Sequence, residues 1–87
     1  MDKILQSVKV KIFYDKALQK ITSTPFEEVV VSKNLIFVQF LSFIFSSYPE
    51  IPKTYPAGSI GFSLNGRAPT DYDFLEENDE VRFFIPS

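Results

Sequence analysis

The sequence predicts an α+β domain in which one main helix lies across one face of a mixed, four- to five-stranded sheet. Three observations lead there. Val8, Val10, Ile12 and Tyr14 alternate with Lys9, Lys11 and Phe13 near the start, and period-two alternation with β-branched residues marks a half-buried strand. Between Leu35 and Ser47 the period changes, with Phe37, Phe40, Leu41, Ile44 and Tyr48 at i, i+3, i+4, i+7 and i+11, one stripe of an α-helix. The chain then closes on a second alternating run, Val81, Phe83 and Ile85.

Composition bounds what such a domain can do. At 87 residues, residues 1–87 form one domain of a size that folds alone with little margin. Burial is favoured by ten Phe and four Tyr, because aromatic side chains dominate small cores. There is no Cys and no His. That removes disulfides, thiolate metal sites and Cys nucleophiles, the commonest general base, and with them a zinc centre. Net charge is −2, and no basic stripe of the kind nucleic-acid binders carry is visible beyond Lys9, Lys11, Lys16 and Lys20. No apolar run reaches the length of a membrane span, and Met1-Asp2-Lys3-Ile4-Leu5 lacks a signal-type apolar core. The expectation is a soluble, cytoplasmic protein that binds neither nucleic acid nor membrane, with no cofactor.

Taken in order, residues 4–14 form the first strand, with Lys9 and Lys11 on its solvent side. Asp15 to Thr24 is polar, with Ala17, Leu18 and Ile21 as its apolar anchors, and reads as a loop, with room for a turn of helix, crossing to the next strand. Pro25 marks the re-entry, and Phe26 to Val31 is a second strand. An antiparallel hairpin with a long loop is the economical pairing. Ser32, Lys33 and Asn34 supply N-cap candidates for the helix over Leu35 to Ser47, which Pro49 ends. Leu35, Ile36, Val38, Phe43 and Phe45 lie off the core stripe. Two readings stand for them: packing beneath the long loops, or a partner surface, since large apolar patches are rare on monomers.

Ser46 to Gly58 carries Pro49, Pro52 and Pro56 and no periodicity, so it reads as a connecting loop. Ser59 to Leu64 alternates again, with Ile60, Phe62 and Leu64 on one face, and Asn65-Gly66 follows. That pair is a strong tight-turn signal because both residues tolerate positive φ. Arg67 to Tyr72 reads as irregular or edge structure, Phe74-Leu75 as a plug under the core, and Asn78 as a left-handed residue before the last strand. A helix across one face of a mixed sheet, with first and last strands parallel at its centre, is the β-grasp arrangement.

No catalytic constellation is present. Asp71, Asp73, Glu76, Glu77, Asp79 and Glu80 cluster, but Asp71-Tyr72-Asp73-Phe74-Leu75 lacks the ligand order and glycine of a calcium loop. A solvated acidic loop, open to a basic partner, is the better reading. Asn65-Gly66-Arg67 has no strand-to-helix context and is a turn, not a phosphate cradle. Ser42, Ser46, Ser47 and Ser59 have no base to activate them.

Phe62-Ser63-Leu64-Asn65-Gly66, followed by Asp73-Phe74-Leu75-Glu76-Glu77-Asn78-Asp79-Glu80-Val81-Arg82-Phe83-Phe84, resembles the MoaD/ThiS family of ubiquitin-like sulfur carriers. That family shows a hydrophobic strand ending in Asn-Gly, then a leucine, two residues, Gly-Asp and a Val-x-Phe-Phe-like strand. Val8-Lys9-Val10-Lys11-Ile12-Phe13 is similar to its first strand, and Phe40-Leu41, Ile44 and Tyr48-Pro49 to its helix and following Tyr-Pro. The resemblance spans nearly the whole chain. Each motif is weak alone; their order and spacing carry it.

The resemblance implies a ubiquitin-like β-grasp domain that is not an enzyme but a carrier or modifier. It would act through a C-terminal Gly-Gly tail adenylated by an E1-like adenylyltransferase, and would bind a MoaE-like large subunit. It implies partner contacts at Phe62, Arg82, Phe84, Pro86 and Ser87, and the off-stripe Phe43 and Phe45 are candidates for the same role. After Phe84 the family pattern runs Pro-Pro-x-x-Gly-Gly, whereas here Ile85-Pro86-Ser87 stands. Two expectations follow: a sulfur carrier or modifier whose natural chain continues into that tail, or a tail-less ubiquitin-like domain acting as a non-covalent interaction module.

Overall fold

The computed structural model describes residues 6–56 and 58–86. Seven elements follow in order: β1 (Ser7–Tyr14), α1 (Lys16–Thr22), β2 (Phe26–Ser32), α2 (Phe37–Ser47), α3 (Glu50–Thr54), β3 (Gly61–Leu64) and β4 (Asp79–Phe84). Four strands form one sheet in the order β2-β1-β4-β3. β1 and β2 are antiparallel, β1 and β4 parallel, and β3 and β4 antiparallel. The mixed sheet with a parallel central pair is the arrangement expected, with four strands. Of the first strand, Ile4 and Leu5 lie outside the described residues.

Alternation on the central strands decides the core. Val8, Val10, Ile12 and Tyr14 of β1 and Val81 and Phe83 of β4 are buried against Phe37, Phe40 and Ile44 of α2. Phe83 is the hub. Its ring lies 5.1 Å from Phe62, 5.7 Å from Tyr14, 6.3 Å from Phe45 and 6.5 Å from Phe40, every pair edge-on. Such pairs contribute about 0.5–1.5 kcal/mol each beyond area burial. Glu27 of β2 ties the helix layer to the sheet: its Oε2 accepts from the Tyr14 hydroxyl at 2.6 Å and the Tyr48 hydroxyl at 2.9 Å. Burial first, then the Glu27 hydrogen bond, push the Tyr14 hydroxyl far above the ordinary phenol range, and Tyr48 shifts the same way for the same causes.

Several local expectations are corrected. The stretch after β1 is a helix of seven residues, α1, not a loop. Asp15 is its N-cap, with Oδ1 accepting from Leu18 N at 3.1 Å, and Ser23 closes it in the left-handed region at φ 64°. Leu18, fully buried, anchors it. The supposed loop after α2 contains the short helix α3. Pro52 falls in its first turn, where the missing N–H has no intrahelical partner to lose, and Ile51 is its buried anchor. The third strand begins at Gly61, two residues later than expected, and the last strand ends at Phe84, one residue before Ile85.

The start of α2 is also corrected. None of Ser32, Lys33 and Asn34 caps it; Ile36 occupies the N-cap position without a side-chain bond. Instead the orphan amides of Phe37 and Val38 donate to the carbonyls of Asp73 and Asp71, at 2.8 and 3.1 Å. The Asp71–Leu75 segment lies along the start of the helix, held by an Ile36–Phe74 bridge and by Leu75 N donating to Leu35 O at 3.1 Å. Only half of the expected plug is buried: Leu75 is fully enclosed, while Phe74 is 58% exposed.

The turns behave as read. Asn65 and Gly66 have φ of 52° and 86°, and the chain doubles back so that Leu64 N donates to Arg67 O at 2.8 Å and Arg67 N to Leu64 O at 3.1 Å. Asn78 is left-handed at φ 67°. The neighbouring carboxylates cap turns. Asp79 accepts from Glu76 N through one oxygen and from the Asn65 amide through the other, at 2.8 and 2.9 Å. Asp73 accepts from Thr70 N and Arg67, at 2.7 and 3.0 Å. The Arg67 hydrogen bond, with that from Thr70 N, holds the Asp73 carboxyl below the usual carboxylate range.

Candidate partner-binding face and chain exit

The sheet's outer face divides along the strand direction. Cross-strand register places Val30 beside Lys9, and Glu28 beside Lys11, which faces Glu80. That end is largely charged. At the other end one row crosses all four strands: Phe26, Phe13, Arg82 and Ser63. The Phe13 and Phe26 rings are 5.0 Å apart and tilted, and the Arg82 guanidinium lies 4.4 Å above the Phe13 ring. Cation–π contact of this kind is worth about 0.5–1 kcal/mol at an exposed site, and it holds a flexible side chain flat on the sheet. Phe84, 38% exposed, comes next along β4 and faces Gly61 of β3. Its ring occupies the space that a Cβ on Gly61 would take. Glycine there is what lets an aromatic ring lie down on the sheet.

The same end of the sheet is where the chain leaves it. Asp15 joins two tasks at that point. While Oδ1 caps α1, Oδ2 accepts from Ile85 N at 2.7 Å, and the Asp15 amide donates to Phe83 O at 3.2 Å. The direction in which the backbone departs after Phe84 is therefore set by the first residue after β1. Pro86 is exposed beyond that clamp. Ser87 lies outside the described residues.

The residues singled out from the sequence fall into separate places. Arg82, Phe84 and Pro86 lie together, on the outer face and at the exit. Phe62 faces inward, packed on Phe83 and on Phe37 at 5.8 Å. Phe45 also packs on the core. The two meet in a cleft of about 350 Å³ between α2, α3 and β3, shared with Leu41, Pro52, Tyr55 and Ile60. Phe43 stands on α2, 47% exposed, away from both. Phe13 and Phe26 were not singled out, yet they build the floor of the outer aromatic row. The signal was present in β1: Phe13 is the one apolar residue on a side otherwise made of Ser7, Lys9 and Lys11.

Among the described residues no His, Cys, Asp or Glu group is arranged to hold a metal ion, and no helix is long and apolar enough to cross a membrane.

No protein-family model matches the chain, and no curated protein sequence matches it. Solved structures do. A Pyrococcus furiosus protein described as molybdopterin converting factor, subunit 1, superposes with a TM-score of 0.82 at 19% identity, over 92% of this chain and 99% of that one. The small archaeal modifier protein 1 of Haloferax volcanii gives 0.79 at 15% identity, over 92% and 99%. The ubiquitin of Caldiarchaeum subterraneum gives 0.62 at 15% identity, over 94% and 96%. These likenesses concern backbone architecture, and with the parallel pairing of β1 and β4 they give one conclusion: the chain has the ubiquitin-like β-grasp fold.

Proposed function

We propose that this protein is a ubiquitin-like carrier or modifier. Its C-terminal end is presented from the exit of β4 to an E1-like adenylyltransferase, and its outer aromatic row docks a partner such as a MoaE-like large subunit. The observation that carries the reading is the junction at Asp15, Phe83 and Ile85. The central strand ends at the aromatic end of the sheet, and its departing backbone is clamped there by Asp15 Oδ2. A carrier whose chemistry lies at its C-terminus needs its exit held in a fixed direction beside a recognition surface. Arg82, Phe84 and Phe13 supply that surface with an aromatic and guanidinium composition typical of interface anchors. The fold likeness to a molybdopterin converting factor subunit and to small archaeal modifier proteins supports the same reading. So does the chain's lack of His and Cys, which leaves the chemistry to the activating enzyme, in the cytoplasm.

The test is ATP–pyrophosphate exchange with the native polypeptide and an E1-like enzyme from the same source. Attack of the C-terminal carboxylate on the α-phosphorus of ATP releases pyrophosphate and leaves an acyl adenylate. Exchange that depends on the protein is the expected result. No exchange and no ATP-dependent adduct would remove the carrier reading. A second reading is favoured by the outer row itself, which lies on the sheet face and needs no covalent step: a non-covalent interaction module. It is distinguished by a stable complex that forms without ATP and is lost on Phe13→Ala or Arg82→Glu.

A further inference from the structure

Among the described residues the outer edge of β2, opposite the cleft, has no strand beside it, and its hydrogen-bonding groups can be assigned. In the β1–β2 register, Lys33 N donates to Gln6 O and Tyr14 N to Pro25 O. Antiparallel ladders alternate bonded and non-bonded pairs, so Glu27, Val29 and Val31 turn their backbone groups towards β1. Phe26, Glu28, Val30 and Ser32 turn theirs outward. At one end this edge is closed: Thr24 Oγ1 donates to Phe26 O at 2.7 Å and accepts from Phe26 N at 3.4 Å. At the other, Ser32 O accepts from Leu35 N at 3.1 Å. Both backbone groups of Glu28 and Val30, and the Ser32 amide, have no backbone partner among the described residues. Val30 also exposes 64% of its surface in the middle of the strand. An open edge of this kind is a template for pairing with another strand.

We propose that β2 pairs antiparallel with β2 of a second copy of this chain, about a twofold axis at Val30, joining two sheets into one. An isologous contact requires each residue to suit the one it meets, and the register centred on Val30 satisfies this along its length. Val30 meets Val30 of the second copy and exchanges both backbone bonds with it. The Ser32 amide donates to the second copy's Glu28 carbonyl, and the Glu28 amide to the second copy's Ser32 carbonyl, which has a second lone pair beside the one that takes Leu35 N. On the helix side Val29 meets Val31. Glu27 meets Lys33, a charge-complementary pair: Glu27 engages Tyr14 and Tyr48 through Oε2 alone, leaving Oε1 open, and Lys33 is exposed with no ion pair among the described residues. Two neighbouring symmetric registers fit worse. Centring on Glu28 sets two carboxylates against each other on the axis. Centring on Val29 sets Glu27 and Glu28 against valines and brings no opposite charges together. β1 separates this edge from β4 and its exit.

The test is sedimentation equilibrium of the full chain up to about 0.5 mM, with three substitutions. Val30→Pro removes an N–H that bonds nothing within one copy, and proline is tolerated at a sheet edge. Its circular dichroism should match the parent while self-association weakens at least about tenfold. Val30→Lys sets two cations together on the axis and should do the same, keeping the test decisive if the proline variant misfolds. Ser32→Lys places an ammonium opposite the second copy's Glu28 and should tighten association, by about threefold at low salt. A parent that stays monomeric over the whole range overturns the proposal. So does a dimer that Val30→Pro and Val30→Lys leave unchanged.

Discussion

Asp15 is the residue whose removal tests most of the structural reasoning at once. One carboxylate oxygen caps α1 through Leu18 N, and the other receives Ile85 N at 2.7 Å. Loss of an Asp N-cap to alanine costs about 1 kcal/mol. The bond to Ile85 is charge-assisted but only half-buried, so the lower part of the range, about 1 kcal/mol, applies. Asp15→Ala should therefore destabilise by about 2 kcal/mol, and at 4–8 °C per kcal/mol lower Tm by roughly 8–16 °C. Asp15→Asn separates the two contributions. Its carbonyl oxygen caps as well as a carboxylate does, but its NH₂ then faces the Ile85 amide, donor against donor. It should cost about 1 kcal/mol, nearly all from the exit clamp. Urea denaturation gives the energies and amide exchange gives the location. The asparagine variant should keep Leu18 protected and expose Ile85, whereas the alanine variant should expose both. Both variants within about 0.5 kcal/mol of the parent, or the same Ile85 exchange in all three, would refute the double role of Asp15.

Other outcomes follow from single contacts. Because burial raises the Tyr14 hydroxyl above the ordinary phenol range, its contribution is fully present below the unfolded tyrosine's pKa and lost as pH rises past it. Melting temperature should fall between about pH 9.5 and 12, and Tyr14→Phe should flatten that slope. Leu75→Ala should cost about 2–5 kcal/mol in urea unfolding because the site is sealed, while Phe74→Ala next to it should stay within about 0.5 kcal/mol; equal effects would contradict the split burial of the pair. Gly61→Ala should leave the fold intact, cost about 1 kcal/mol, and shift the Phe84 ring resonances as the ring lifts from the sheet. Unchanged resonances would show that the ring does not lie over Gly61.

The boundary between what was readable along the chain and what was not follows the range of the forces. Val8, Val10, Ile12 and Tyr14 announce β1, Phe37, Phe40 and Ile44 announce α2, and Asn65-Gly66 and Asn78 announce their turns, because side-chain period and positive φ are properties of neighbouring residues. The order of the elements extended this to the parallel pairing of first and last strands, because a helix across one face of a mixed sheet is the arrangement that order allows. The short helices were harder. α1 and α3 each depend on one or two buried anchors, too few to show a period, although Asp15 was a legible cap signal. The start of α2 could not be read locally at all, since its cap is two carbonyls from Asp71 and Asp73, more than thirty residues later.

The candidate face shows the same division. Arg82 and Phe84 were named through the family resemblance, and their alternation with Val81 and Phe83 agrees with the outer face they take. That Phe13 and Phe26 lie in one row with Arg82, while Phe62 and Phe45 turn inward to a cleft, depends on strand order and register. So does the meeting of Asp15 with Ile85, seventy positions apart. Periodicity tells a side chain which face it takes; only the packed sheet tells it which neighbours it finds there, because those neighbours come from strands that the chain brings together by folding.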